Sequence, residues 1–119
     1  MARYLLLIYE PESAWMNISE SQKQAIMNEY MQLTTSIKQS GHHLGGEALQ
    51  PVASATTVRV QQGKTTMTHG PFAETREQLG GYYLIQAKNL DEATAIAARI
   101  PAARTGSIEI RPLMEFPNP

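Results

Sequence analysis

A chain of 119 residues with 42% apolar and 18% charged residues has the composition of one globular domain rather than of a disordered segment. Its net charge of −1 argues against a nucleic-acid partner, and the absence of cysteine excludes disulfides and thiolate metal sites. The apolar opening segment is too short for a signal peptide or a membrane span. We therefore expect a cytoplasmic protein that binds neither nucleic acid nor membrane.

The first half of the chain predicts a strand, a helix and a weak strand. Residues 3–9 form a continuous apolar run that is typical of a strand covered on both faces. Ser19 and Gln22 match a capping box at the start of a helix, and Gly41 is placed to end that helix. A short strand over residues 44–49 follows. The apolar face of the helix recurs at spacings of three and four residues, at Ile26, Tyr30, Leu33 and Ile37.

The second half predicts a hairpin, a strand, a helix and a last strand. Residues 56–61 and 64–68 are rich in β-branched side chains and flank a Gln-Gly turn. Residues 81–88 have the pattern of another strand, Asn89 caps a second helix, and a final strand begins near Ser107. This order predicts a ferredoxin-like α+β fold, with an antiparallel sheet, two helices on one face and an extra hairpin.

Both faces of the predicted sheet are apolar. In the first strand Leu5 and Leu7 alternate with Leu6 and Ile8, and the strand over residues 81–88 has the same character. Two helices cover only one face, so the other face would be a large exposed apolar patch. We therefore expect a homodimer that packs sheet against sheet. The alternative is that long loops fold over the second face.

Two arginines alternate with apolar residues in their strands. If Arg59 and Arg111 border the space between two sheets, their guanidinium groups form a lining that attracts an anion. The alternative is that both are solvent-facing edge residues, paired with a carboxylate such as Glu109.

The connection over residues 69–81 is long for a link between two strands. Its Gly70-Pro71 turn would hold the side chain of His69 in one orientation, and Phe72 is bulky enough to pin the loop to the core. Glu74 then lies where it can form an ion pair or face a cavity. The alternative is a surface loop with an exposed histidine and solvated charges.

Several segments spread over nearly the whole chain carry a common pattern, namely GGEAL at 45–49, TTVRV at 56–60, GPFAETREQLGGYYLI at 70–85, LDEA at 90–93 and SIEIRPL at 107–113. Together they resemble the DGPF branch of the YCII-related family. The resemblance implies a dimeric α+β barrel domain from bacteria, in a family whose members mostly have no assigned activity. It also implies acid–base chemistry by a His and an Asp in a cleft, and a link to extracytoplasmic-function sigma factors. The motif begins with Asp in the family and with His69 here, so a proton-transfer role would pass from a carboxylate to an imidazole, with a changed charge.

We expect a small-molecule pocket between the sheet and the long loop, with His69 as general acid or base. In this hypothesis Arg59 and Arg111 hold an anionic or polar substrate, and Glu47 or Glu74 orients the histidine. One alternative is a non-catalytic accessory or sensor domain that contacts a sigma factor or another regulatory protein. Another is a dimerisation module without a ligand.

The sequence predicts no metal and no cofactor. His42 and His43, with Glu47 and His69, could supply metal ligands, but adjacent residues rarely point at one ion. We expect instead that one of the two adjacent histidines caps the carbonyls of the first helix. No glycine-rich phosphate-binding motif is present, which argues against a nucleotide. The methionines of the first helix are expected to fill core space.

Overall fold

The computed structural model describes residues 1–117 and contains six strands and three α-helices in that range. The strands are β1 (Ala2–Glu10), β2 (His43–Ala48), β3 (Thr56–Gln61), β4 (Lys64–His69), β5 (Gln78–Ala87) and β6 (Ser107–Pro112), and the helices are α1 (Ser13–Met16), α2 (Glu20–Gln39) and α3 (Leu90–Ala97). Single turns of 3₁₀ helix occur at Val52–Ser54 and Pro101–Arg104. Within residues 1–117 no helix is long and apolar enough to cross a membrane.

Four of the strands form one antiparallel sheet in the order β2-β5-β1-β6. In the central pair, Leu5 lies opposite Leu84 and Leu7 lies opposite Tyr82. The predicted α+β class with an antiparallel sheet is confirmed, and the main sheet with its two longer helices follows the β-α-β-β-α-β order. The dimeric barrel stays a prediction.

The core lies between this sheet and helices α2 and α3. Along β1, the buried side chains of Tyr4, Leu6 and Ile8 alternate with half-buried ones, because successive strand residues point to opposite faces. The largest fully buried side chains are Leu6, Ile37, Ile85 and Ile100. Each contributes roughly 1.5–3 kcal/mol of hydrophobic stabilisation relative to an exposed position. Both helices contribute to the same buried cluster, so within the described part of the chain the opposite face of the sheet has no helix on it.

Helix α2 begins and ends where the sequence predicts. Ser19 and Gln22 form the predicted capping box, with each side chain accepting a hydrogen bond from the other residue's backbone N–H. At the other end Gly41 has a positive φ of 80°. The backbone N–H of His42 donates to the carbonyl of Ile37 (2.9 Å), which completes a Schellman motif. The backbone of His42, and not its imidazole, therefore caps the helix.

The predicted hairpin is present but forms a separate two-stranded sheet, β3-β4. We call its residues 56–69 the arm. Its turn residues Gln62 and Gly63 both have positive φ (52° and 76°), as a tight two-residue hairpin turn requires. The hairpin does not join the main sheet, because Pro51 and the 3₁₀ turn after it lead the chain away from β2. The loop after the arm is not pinned to the core, since Phe72 is 78% exposed.

Candidate functional site

A cavity of about 600 Å³ opens between helices α1 and α2 and the β2-β5 side of the main sheet. This volume falls within the range of typical small-molecule sites. Most of its wall is aromatic or apolar. The side chains responsible are Trp15, Met16, Met27, Tyr30, Leu49 and Tyr83.

The floor of the cavity includes two glycines on neighbouring strands. A Cβ atom at Gly46 would lie 2.8 Å from the carbonyl oxygen of Tyr82, and one at Gly81 would lie 2.8 Å from that of Glu47. Real Cβ atoms do not approach so closely, so the strands can pair at this distance only because both residues are glycine. The backbones of β2 and β5 therefore approach each other closely at both positions. Because glycine has no side chain, the floor of the cavity at these two positions is formed by backbone alone.

One face of α2 forms the opposite wall. Met27, Tyr30 and Thr34 are spaced by three and four residues, which places them on one side of the helix. The hydroxyl of Thr34 shares a hydrogen bond of 2.8 Å with the phenol of Tyr83, which ties the helix to the sheet beside the cavity. Met27 is 47% exposed. The expectation that it fills core space is therefore wrong, because its position on α2 faces the cavity.

Carboxylates outnumber cations in the lining. Glu10 and Glu12 contribute to it, and Glu47 borders it on β2 with its side chain on the face of Tyr82, whereas the only Lys or Arg in the lining within the described residues is Lys38. Two of the carboxylates have partners: Glu10 accepts from the hydroxyl of Thr105 (2.6 Å), and Glu12 accepts from a backbone N–H (2.9 Å). The lining does not have the charge of an anion site.

Tyr30 is the lining residue with a strongly shifted pKa. Burial, followed by the negative charge of Glu10, raises the pKa of Tyr30 to about 12. Its phenol therefore stays neutral at physiological pH and can serve as a hydrogen-bond donor at the cavity wall.

Of the residues that the sequence singled out, Glu47 borders the cavity on the edge strand β2, but it pairs opposite Tyr82, so its side chain lies on the uncovered face of the sheet. His69 and Arg59 lie on the arm, and Glu74 follows it; all three are exposed and outside the cavity lining. The structure brings His69 and Arg59 onto one hairpin, but on opposite faces of it. Their catalytic and substrate-binding roles stay predictions.

Arg111 lies on the edge strand β6, on the uncovered side of the main sheet. It forms an ion pair of 3.1 Å with Glu109 two residues away, and both side chains are exposed. This arrangement matches the alternative in which the arginine is an edge residue with a local carboxylate partner. A surface pair of this kind contributes little to stability.

The cavity had a signal in the sequence that pattern reasoning did not use. The pairs Gly45-Gly46 and Gly80-Gly81 fall on two strands that become neighbours. Pairing of these strands can be inferred from the predicted fold, but the opening beside them cannot, because it depends on where α1 lies.

The adjacent histidines have separate roles. His42 bridges two helices: its Nδ1 lies 2.6 Å from the Ser40 hydroxyl and its Nε2 lies 2.8 Å from the carboxylate of Glu92. The backbone N–H of Lys88, and then His42, lower the pKa of Glu92. This serine–histidine–carboxylate order is not a hydrolytic site, because Ser40 caps the carbonyl end of α2, where an oxyanion would be repelled. His43 instead lines the cavity.

Within residues 1–117, no group of three His, Asp or Glu side chains is placed to hold a metal ion. The four residues considered for a metal site are therefore not gathered in one place. Glu47 and His43 border the cavity, whereas His42 bridges the two helices and His69 lies on the arm.

Two comparisons with known sequences give clear matches. It is 39% identical, over 113 residues, to an uncharacterized protein of Rhizobium meliloti (strain 1021), and the match covers 92% of this chain and 90% of that protein. The profile of the YCII-related domain matches residues 2–117, which is nearly the whole chain. The protein therefore belongs to the YCII-related domain family.

Proposed function

We propose that this protein binds a small organic molecule in the cavity between α1, α2 and the β2-β5 side of the sheet, and that it works as a homodimer. The observation that carries the proposal is the cavity itself, with a volume of about 600 Å³, a wall of aromatic and apolar side chains and a few polar groups. A concave, mostly apolar site with a small number of polar groups is the usual form of a ligand site.

The lining defines the class of ligand. Trp15, Tyr30 and Tyr83 offer aromatic surface for a flat or apolar body. The excess of carboxylates over cations favours a neutral or positively charged polar group over a negatively charged one. We therefore propose an aromatic or apolar molecule with a neutral or cationic polar end.

The single tryptophan of the chain provides the assay, since Trp15 lines the cavity. We would titrate the protein with phenethylamine, phenethyl alcohol and phenylacetate, which share an aromatic ring and differ in charge. We expect saturable changes in Trp15 fluorescence with the amine and the alcohol, and affinity at least ~10-fold weaker for the acid.

A matched pair of variants on α2 checks the location. Met27 lines the cavity, whereas Met31, one turn further along the same helix, does not. Met27→Ala should weaken binding several-fold, because apolar contact area with the ligand is lost, and Met31→Ala should leave it unchanged. Equal affinities for the two variants, or no saturable signal with any of the three probes, would overturn the cavity as the binding site.

Acid–base chemistry by His69 is a further part of the proposal. Its support is the motif position of His69 in the family and its place at the base of the arm, next to the loop that leads to β5. Substrate contacts by Arg59 and Arg111, and orientation of the histidine by Glu47 or Glu74, belong to the same proposal. If His69→Ala binds and converts every ligand found as well as the wild type does, His69 has no catalytic part.

A matched pair also tests the two glutamates. Glu47 borders the cavity on the edge strand β2, and Glu74 lies outside it. Glu47→Gln should reduce the preference for phenethylamine over phenethyl alcohol, and Glu74→Gln should leave that preference as it is. The reverse result would place the ligand beside the long loop instead.

The homodimer is supported by the uncovered face of the main sheet. Leu5, Leu7, Tyr82 and Leu84 lie together on that face and are only half-buried. Leu84→Lys should convert a dimer to a monomer in sedimentation equilibrium, because a charge would be placed in the apolar contact. Thr94→Lys, on the exposed side of α3, is the control that should stay dimeric.

A second candidate function is an accessory domain for a regulatory protein such as a sigma factor. The exposed apolar residues Val58, Val60 and Met67 of the arm favour it, because a partner could bury them. Calorimetric titration with a purified extracytoplasmic-function sigma factor tests this function. A micromolar complex that Val60→Lys abolishes would support it, and absence of heat at high concentration would count against it.

A further inference from the structure

The arm, residues 56–69, is unusually exposed for an ordered element. Each residue of β4 is exposed, and in β3 only Thr57 is partly covered. The two strands hydrogen-bond to each other and, among residues 1–117, to no other strand. A two-stranded hairpin is only marginally stable in water by itself. The arm therefore needs another surface to pack on.

The arm has one apolar face. Cross-strand pairing places Val58 opposite Met67 and Val60 opposite Thr65, so these side chains share a face. Val58, Val60 and Met67 are 59%, 65% and 67% exposed. The other face carries polar and charged side chains, namely Thr57, Arg59, Gln61, Lys64, Thr66 and Thr68. An alternation of this kind is typical of a strand pair with one buried and one solvated face.

The whole chain has more surface than a compact monomer of its size. A monomeric protein of 13.2 kDa is expected to expose about 6,400 Å². This chain exposes 8503 Å², about 2,100 Å² more. Its radius of gyration is 16.5 Å, against about 13.5 Å expected for a compact domain of 119 residues. A standard protein–protein interface buries about 800 Å² per partner, so the excess is enough for a large permanent interface.

We infer that the apolar face of the arm packs on the uncovered sheet face of a second copy of this chain, and that two copies exchange arms around a two-fold axis. The inference rests on the homodimer of the proposed function and specifies its contacts. One chain carries both an apolar arm and an apolar sheet face, so two copies bury both surfaces twice in a closed assembly. The net charge of −1 creates little repulsion between copies.

Arm exchange has a consequence for the site. His69 lies opposite Thr56 and shares the arm face that carries Val58 and Met67. When that face packs on the partner, the imidazole is carried to the contact between the copies instead of standing in solvent.

The first test compares two double variants that add the same charge to opposite faces of the arm. Val58→Lys with Val60→Lys should raise the dimer dissociation constant at least ~100-fold, since two apolar contacts are lost in each copy. Thr66→Lys with Thr68→Lys should change it by less than ~3-fold. Sedimentation equilibrium measures both constants, and circular dichroism confirms that both variants are folded.

The second test locates the arm directly. The chain lacks cysteine, so Gln61→Cys accepts a single spin label near the tip of the arm. Labelled chains are mixed with isotope-labelled chains that carry no spin label, and amide signals of the latter are observed by NMR. We expect broadening at Leu5, Leu7 or Leu84, which only an arm from another copy can cause. A label at Thr94→Cys should leave these signals sharp.

The outcomes separate this inference from the proposed function. A dimer that forms without broadening, and that tolerates lysines at Val58 and Val60, overturns arm exchange but leaves the sheet-to-sheet dimer in place. A chain that stays monomeric at millimolar concentration overturns both. Ligand binding reported by Trp15 is a separate measurement, so failure of the cavity shows independently.

Discussion

Replacing Gly46 by alanine tests whether the floor of the cavity is set by the close pairing of β2 and β5. The new Cβ would lie 2.8 Å from the carbonyl oxygen of Tyr82 and 3.1 Å from the ring of Tyr83. To restore an ordinary contact with the carbonyl, the strands must separate by about 0.6 Å at this point. Insertions of this kind into packed regions cost about 1–3 kcal/mol, so the melting temperature should fall by roughly 4–12 °C.

Gly45→Ala is the matched control, one residue away in the same strand. No heavy atom lies within 4 Å of its added Cβ, and its backbone is not in the left-handed region. Alanine there should be neutral or stabilising by about 0.4–1 kcal/mol, because it restricts the unfolded chain. Urea unfolding followed by circular dichroism measures both free energies. Equal stabilities of the two variants would refute the argument that close strand pairing requires glycine at the cavity floor.

Three further predictions concern stability. Because the pKa of Tyr30 is raised to about 12, its neutral phenol contributes to the free energy of unfolding. This contribution is fully present below pH ~10 and is lost as pH rises toward 12. With allowance for partial exposure, the unfolding free energy should fall by up to ~2 kcal/mol over that window, and Tyr30→Phe should remove this component. Gly41→Ala should cost about 1 kcal/mol in urea unfolding, since φ is 80° at the end of α2. The Lys88 backbone N–H, and then His42, lower the pKa of Glu92, so its carboxylate contributes stability above pH ~4.3 that is lost as pH falls through the lower folded pKa. Glu92→Gln should therefore be less stable than the wild type at neutral pH, and acid unfolding should show a smaller loss of stability over this range in the variant.

Local chemistry made the main elements predictable. The capping box at Ser19, the glycine at position 41 and the alternation along β1 each depend on residues a few positions apart, and each is found as expected. The hairpin of residues 56–69 was predictable for the same reason, since its turn is specified by Gln62-Gly63.

What sequence patterns could not predict is how these elements sit relative to one another. The hairpin forms a sheet of its own, and periodicity could not show this, because it says only that a segment is a strand and not which neighbour it pairs with. Met27 was expected to fill core space, but the side of α2 that carries it, with Tyr30 and Thr34, lines a cavity instead. The position of the cavity follows from α1, a helix of only four residues with no strong pattern of its own.

The geometry of β5 links the proposed ligand site to the proposed dimer. Tyr83 faces the cavity with Gly46 beside it, whereas Tyr82, the next residue along, lies with Leu84 on the uncovered face. A sheet is one backbone thick, so a ligand and a second copy of the chain would contact opposite sides of the same strand. Tight backbone contacts at Gly46 and Gly81 leave little room for one side to move without the other.

We therefore expect ligand binding and dimerisation to be coupled. Thermodynamic linkage makes this coupling reciprocal. If the ligand changes the dimer dissociation constant, the ligand must also bind the dimer and the monomer with different affinities. The Leu84→Lys monomer provides the comparison, because its substitution lies on the uncovered face and leaves the cavity lining unchanged. We expect phenethylamine to bind this monomer with an affinity several-fold different from that of the wild-type dimer, as reported by Trp15 fluorescence. Identical affinities would show that the two faces of β5 act independently. The close strand pairing would then shape the floor of the cavity, but ligand binding would have no effect on dimerisation.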